Sequence, residues 1–339
     1  MAQRCFFDLS ETQLQSYLDS IQERPFRSAQ IREWVYRKAV TDFSLMKNLS
    51  ETLRQKLAEA FYFPVMDLAA STGNSSGTRK FVFQVNDGQK IESVLIPVQD
   101  RMTVCVSSQA GCRFACRFCA SGVGGWTRNL SRGEVMMQVL RLRQLGGQRI
   151  SHVVFMGTGE PLDNWDEVRE AIVLLNHPQA MGIAARRITV STCGLIPGIR
   201  QLSQLGLQIE LAVSLHGYDD ESRGRLMPIN RTYPLNELIR ACREYVEKTK
   251  RQITFEYILI DGVTCREQAP GVLASLLKGL ECKLNLIPYN QVNEFEWEAP
   301  SRNVVYRFRD ALISQGVHAT IRWSRGSDVQ GACGQLRRQ

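Results

Sequence analysis

Six times between residues 103 and 315 a short β-rich run is followed by a helical pattern. That alternation limits this part of the chain to a parallel sheet with crossover helices. The β-rich runs are 103–107, 152–156, 187–191, 210–215, 253–260 and 283–287. The helical patterns are 131–145, 165–175, 196–205, 235–249, 268–280 and 302–315. Six βα units predict an α/β fold, a partial (β/α)6 barrel, with a last strand at 319–323. In such barrels the chemistry gathers at the C-terminal ends of the strands. The polar motifs obey that rule. A cysteine cluster follows the first strand and Gly157-Thr158-Gly159-Glu160-Pro161 the second. Ser191-Thr192-Cys193-Gly194 follows the third, Ser214-Leu215-His216 the fourth and Asn290 the sixth.

The chain ahead of the barrel reads differently. Residues 8–60 are helical in pattern: Leu14, Tyr17, Leu18 and Ile21 recur at helical spacing, and so do Ile31, Trp34 and Val35. Ser50 is placed to cap a helix over 51–60. From 66 to 98 strands take over, and Asn86-Asp87-Gly88 supplies a hairpin turn. The division expected is a small helical and β accessory module, 1–97, and a catalytic barrel, 98–339. Arg24, Arg27, Arg32, Arg37 and Lys38 lie among Phe26, Trp34 and Tyr36. Basic residues interleaved with aromatics suit RNA. An amphipathic helix with a solvated face is locally the more common case.

A net charge of +8 fits either a polyanion partner or simple solubility. No stretch approaches the roughly 18 unbroken apolar residues of a membrane span, and the first ten residues carry no apolar leader. The expectation is a cytoplasmic protein with no membrane partner. Ten cysteines are then thiols, metal ligands or catalytic groups rather than structural bridges. Cys5, Cys193, Cys242, Cys265 and Cys282 have no metal-like spacing.

Cys112, Cys116 and Cys119 form C-x3-C-x2-C. Three thiolates on one loop hold three corners of a cubane iron–sulfur cluster and leave the fourth iron open to a small molecule. Structural zinc, with Cys105 as a distant fourth ligand, is the metal alternative. Closed zinc sites are usually built from two CxxC-like pairs, and there is no second pair here. A zinc-stabilised RNA-binding protein is accordingly the non-enzyme alternative.

The spacing is the signature of the radical S-adenosylmethionine (SAM) superfamily. The order of motifs resembles the RNA adenine methyltransferases of the RlmN/Cfr type from about Lys90 to Leu336. The matching pieces include Ile91-Glu92-Ser93-Val94, Cys105-Val106-Ser107-Ser108-Gln109, Arg128-Asn129-Leu130, Met227-Pro228-Ile229-Asn230, Pro288-Tyr289-Asn290 and Ala332-Cys333-Gly334-Gln335-Leu336. The resemblance implies a radical SAM barrel that holds one 4Fe-4S cluster on Cys112, Cys116 and Cys119 and uses two SAM per turnover. Gly159, Glu160, Ser191, Ser214, Leu215, His216 and Asn290 match SAM contacts. Thr158 stands where family members usually have Met. Cys333 resembles the methyl carrier, Glu92 the base that takes the ring proton, and Cys105 the thiol that resolves the intermediate through a transient disulfide with Cys333. Without the match, Cys333 would be a free thiol near a chain end and Glu92 an ordinary edge-strand carboxylate.

The activity implied is methyl transfer to an adenosine carbon, C2, in 23S ribosomal RNA, with transfer RNA as a second substrate. The reductant implied is an electron donor such as flavodoxin or ferredoxin. The alternatives are the family's C8-specific (Cfr) branch and a radical SAM enzyme on a non-RNA substrate. Residues 322–328 look more like the C2 branch.

Overall fold

The structure is a computed structural model and describes residues 3–74 and 77–337. Met1 and Ala2, part of the stretch read as lacking a leader, lie outside the described residues. The N-terminal part carries α1 (Glu11–Ser20), α2 (Phe26–Arg32) and α3 (Glu51–Ala60). Ser10 and Gln13 close a capping box on α1, and the Ser50 hydroxyl accepts from the Leu53 amide at the start of α3. Phe6, Phe7, Phe43 and Phe63 pack ring against ring into the core of this part. It sits tightly on the barrel. A Cβ on Gly133 would come within 2.9 Å of Cys5 Sγ, and Arg143 donates to the Tyr36 carbonyl at 2.8 Å.

Ten strands form one continuous sheet. They are β1 (Met66–Thr72), β2 (Arg79–Val85), β3 (Lys90–Val98), β4 (Arg101–Cys105), β5 (His152–Phe155), β6 (Ile188–Thr192), β7 (Glu210–Ser214), β8 (Ile253–Leu259), β9 (Cys282–Pro288) and β10 (Ala319–Ile321). Their order across the sheet is their order in the chain. The first four are antiparallel neighbours, and β4 to β10 are all parallel. Crossovers are made by α4 (Arg132–Gly146), α5 (Trp165–Asn176), α6 (Ile196–Leu202), α7 (Asp220–Leu226) with α8 (Leu235–Thr249), α9 (Ala269–Leu277) and α10 (Arg302–Ser314). Parallel strands buried on both faces read as apolar runs, and all seven residues of β8 are buried. Leu235, Leu238, Ile239, Cys242 and Tyr245 make the buried stripe of α8. Among the described residues no helix is long and apolar enough to cross a membrane.

Residue 98, where the two expected units meet, lies in a tight β3–β4 turn. The sheet runs across it, with Val98 paired to Arg101 and Val94 to Cys105. The first barrel strand ends at Cys105, two residues earlier than the sequence pattern suggests. The reason is a side chain. The buried Gln138 amide accepts from the Ser107 N–H at 2.8 Å and donates to the Ser107 carbonyl at 3.0 Å. It takes the place of a neighbouring strand at Ser107, while Val106 still bonds to Val154 and Gly157 on the β5 side.

Candidate active site

The C-terminal ends of the parallel strands open on a cleft. Cys112, Cys116, Cys119, Gly159, Glu160, Ser191, Ser214, His216 and Cys333 line it. Glu256 and Arg322 line it too.

The cysteine loop is closed at its base by two short antiparallel strands, Gln109–Gly111 and Trp126–Asn129. The Cys112 amide donates to the Gly125 carbonyl at 2.9 Å. Gly111 has φ 83°, and a Cβ there would lie 1.9 Å from the Gly125 oxygen, so only glycine closes this loop. Burial pushes the Cys112 thiol up to about 12, and raises those of Cys116 and Cys119, where the neighbouring thiols add to it. Three thiols that repel one another as thiolates form a donor set that a cationic cluster would satisfy. Thiols spread over a loop suit the corners of a larger, cubane cluster.

Glu160 ties two rim loops together. Its Oε1 accepts from the Leu162 amide at 3.0 Å and its Oε2 from the Cys193 amide at 2.7 Å, while its own N–H donates to Gln109 Oε1. Burial raises its pKa, and those amide donors lower it. A buried carboxylate here is a natural partner for the ammonium of a methionine moiety. Gly159 has φ 103°, and a Cβ would meet the Gln109 amide nitrogen at 2.8 Å. His216, at φ 50°, is buried against the Phe118 ring, with centroids 4.7 Å apart. Its Nδ1 accepts from the Ile258 amide at 3.0 Å, which places the proton on Nε2. Burial, with Arg223 adding to it, pushes its pKa down to about 3, so the ring stays neutral.

Two of the expected SAM contacts stand outside the cleft wall. Leu215 is fully buried in the core, with its carbonyl held by Arg223. Asn290 donates from Nδ2 to Ser324 Oγ at 2.8 Å and to the Cys333 carbonyl at 3.0 Å. It anchors the C-terminal tail. Other anchors join that tail to the cluster loop: the Ala120 amide donates to Gly334 O at 2.7 Å and the Ser121 hydroxyl to Leu336 O at 2.6 Å.

Cys105 lies behind the cleft in a small apolar cluster with Val94 and Leu336. Burial, with nearby Cys333 adding to it, pushes its thiol up to about 12, against the pull of Arg322. Glu92 is fully buried. Its Oε1 accepts from Lys80 Nζ at 3.0 Å and its Oε2 from the Arg337 amide at 2.9 Å. The structure thus brings Cys333 to the cleft, Cys105 against Leu336 and Glu92 to the Arg337 amide of the tail that carries it. All ten cysteines are free thiols.

Sequence reasoning missed three groups. Arg223 is completely buried and donates to the carbonyls of Cys193 and Leu215, holding the ends of β6 and β7. Glu256 is a buried carboxylate in β8 whose Oε1 accepts from Asn285 and Arg322 and whose Oε2 has no hydrogen-bond partner. Arg322 completes the cleft between Glu256 and the tail. A signal for Glu256 was present: a carboxylate inside an otherwise apolar parallel strand has to be paired or functional. On the N-terminal part, Arg24 is exposed but Arg32 is buried, 5.5 Å from the Tyr36 ring centroid. Arg32 therefore leaves the basic face that the sequence pattern suggested.

Comparison with known proteins agrees with this geometry. Residues 106–268 match the model of the radical SAM superfamily, and residues 6–63 match the ribosomal RNA large subunit methyltransferase N-terminal domain. The chain is 43% identical over 333 residues to a probable dual-specificity RNA methyltransferase RlmN of Clostridioides difficile strain 630, covering 98% of this chain and 97% of that protein. It is 45% identical to the protein of the same description from Bacillus licheniformis, over 98% and 92%. The crystal structure of a radical SAM methyltransferase from Sphaerobacter thermophilus superposes with a TM-score of 0.93 at 41% identity and covers 98% of each chain. The chain belongs to the RlmN family of radical SAM methyltransferases.

Proposed function

We propose that this protein methylates C2 of adenosine in 23S ribosomal RNA and in transfer RNA, through a methyl group carried on Cys333. One observation carries the reading: the three-cysteine loop and Cys333 line the same cleft, with Cys105 directly behind the tail. The relatives' shared description, dual-specificity RNA methyltransferase, supports both RNA classes. An adenine C2–H carbon is too poor a nucleophile to displace a methyl group from SAM. When bound, the cluster and SAM supply the one-electron chemistry that avoids this difficulty.

The chain's own residues do the rest. Cys112, Cys116 and Cys119 hold the cluster. Glu160 and the strand-end groups Ser191 and Ser214 hold SAM, with Gly159 giving the backbone its close approach. Cys333 bears the methyl group on its sulfur; through the one-electron chemistry that the bound cofactors would supply, that methyl gives up one hydrogen atom, its carbon bonds to adenine C2, and the adduct gives up one electron. Glu92 accepts the ring proton. Because Lys80 and the Arg337 amide occupy its oxygens, the tail shifts before it acts. The Cys105 thiolate then attacks the Cys333 sulfur. The new S–S bond takes the place of the bond from that sulfur to the methylene carbon; the electron pair of the broken bond stays on that carbon, which takes up a proton from water, and the methylated RNA leaves. The disulfide is transient and is reduced again by cytoplasmic thiols. A flavodoxin or ferredoxin supplies the electrons. The N-terminal helical part adds RNA contacts.

The test is nucleoside mass mapping of RNA from cells with and without the gene. The expected result is loss of 2-methyladenosine from 23S and transfer RNA in its absence. Unchanged 2-methyladenosine, or loss of 8-methyladenosine instead, would overturn the reading.

A further inference from the structure

Four side chains form a ladder on the rim beside the cleft. The Arg302 guanidinium lies 5.1 Å from the Trp323 ring centroid, Trp323 lies 6.3 Å from Tyr306, and Arg309 lies 5.1 Å from Tyr306. Trp323 and Tyr306 are 42% and 40% exposed, so both rings meet solvent. Their place in the fold is specific. Trp323 directly follows Arg322, which lines the cleft. Arg302, Tyr306 and Arg309 share one face of α10. That helix follows β9 through the 289–301 loop and crosses back to β10, so its first turns stand at the same end of the sheet as the cysteines. Residues 302–310 and 322–325 carry Arg302, Arg307, Arg309, Arg322 and Arg325; Asp310 pairs with Arg309 and Glu256 with Arg322, and the balance stays positive.

We propose that the Arg302–Trp323–Tyr306–Arg309 ladder is a docking surface for RNA, on which an unpaired base next to the target adenosine stacks. The proposal rests on the reading of the cleft as an RNA-modifying site. A base that enters the cleft leaves its stack, and its neighbours lose a stacking partner. Exposed rings replace that partner for any base, because every base has a π-face, and the arginines meet the phosphates. A protein partner would find little to pair with the excess of positive charge, whereas a polyanion does.

The test uses the full-length, cluster-loaded protein and an unmodified transcript of 23S ribosomal RNA. The Trp323→Ala, Tyr306→Ala double variant should weaken RNA binding about tenfold or more, with the slope of log affinity against log salt unchanged. The Arg302→Ala, Arg309→Ala double variant should instead flatten that slope by roughly one to two units. Trp323→Phe, Tyr306→Phe should recover most of the affinity, which a purely structural role for the hydroxyl or indole N–H would not allow. Ultraviolet crosslinking of the wild-type complex should place a nucleotide on Trp323 or Tyr306, a result independent of how the variants fold. Wild-type affinity in the ring-deleted variant, or crosslinks confined to other peptides, overturns the proposal. If the wild-type protein methylates the transcript while either of those results is found, the ladder fails and the reading of the cleft stands.

Discussion

Two walls of the cleft, the cluster loop and the C-terminal tail, face each other but are built by opposite means. The loop is closed by backbone: a pair of short strands, the Cys112–Gly125 hydrogen bond and a glycine that nothing larger can replace. The tail has no strand pairing: it is held by single hydrogen bonds from Asn290, Ala120 and Ser121 and from its own Gln335 and Arg337, by the Arg337–Glu294 ion pair and by the burial of Leu336. Each such bond contributes only about 1 kcal/mol net. A wall that holds a cofactor has to keep its shape, and a wall that carries a group between two partners has to let go. The difference in construction matches the difference in task.

The largest effects should come from the thiols themselves, and they should separate the walls. Cys116→Ala should lose iron, sulfide and all RNA methylation together. Cys333→Ala should keep iron and sulfide at the wild-type level and still lose RNA methylation to background. Metal and sulfide assays beside labelled methyl transfer read both. If Cys333→Ala also loses the cluster, the tail is part of the cofactor wall and the comparison collapses.

A smaller effect concerns pH. Burial holds the Cys105 thiol near 12, and the attacking species is its thiolate. Far below that value the thiolate fraction grows about tenfold per pH unit. Release of the RNA, followed in a single turnover from about pH 7 to pH 9, should therefore accelerate with rising pH. A rate that is flat or falls over that range would mean that Cys105 is already ionised or is not the attacking group.

The smallest effect should come from loosening the tail without touching a thiol. Asn290→Ala removes donors to Ser324 and to the Cys333 carbonyl. It should leave cluster content unchanged and lower the rate of RNA methylation roughly three- to tenfold, the scale of about 1 kcal/mol. Loss of SAM affinity in proportion would return Asn290 to the SAM site that the family resemblance suggested.

The same contrast marks what could be read from sequence. The barrel strands were legible because parallel strands bury both faces and stand out as apolar runs, as 253–259 does. Ser50 announced α3 by the chemistry of its hydroxyl. The cluster loop was legible because ligand spacing is local. What stayed hidden depends on partners far away in the chain. Gln138 ends β4 from 31 residues off, and Arg337 closes over Glu92 from 245 residues off. Arg32 looked like part of a basic surface because the pattern gives charge but not the direction in which the side chain packs. The continuity of the sheet across residue 98 was likewise invisible, since a hairpin turn looks the same between two strands of one sheet as at the end of a module.

The division of labour between the two cysteines is tested most directly by trapping the joined state. Cys105→Ala protein, cluster-loaded and supplied with SAM, reductant and a 23S ribosomal RNA transcript, should methylate Cys333, attack the adenine and stop. A protein–RNA adduct that survives denaturant should accumulate, and mass spectrometry should place it on the peptide containing Cys333. Normal turnover of the variant, or an adduct on any other cysteine, would contradict the account.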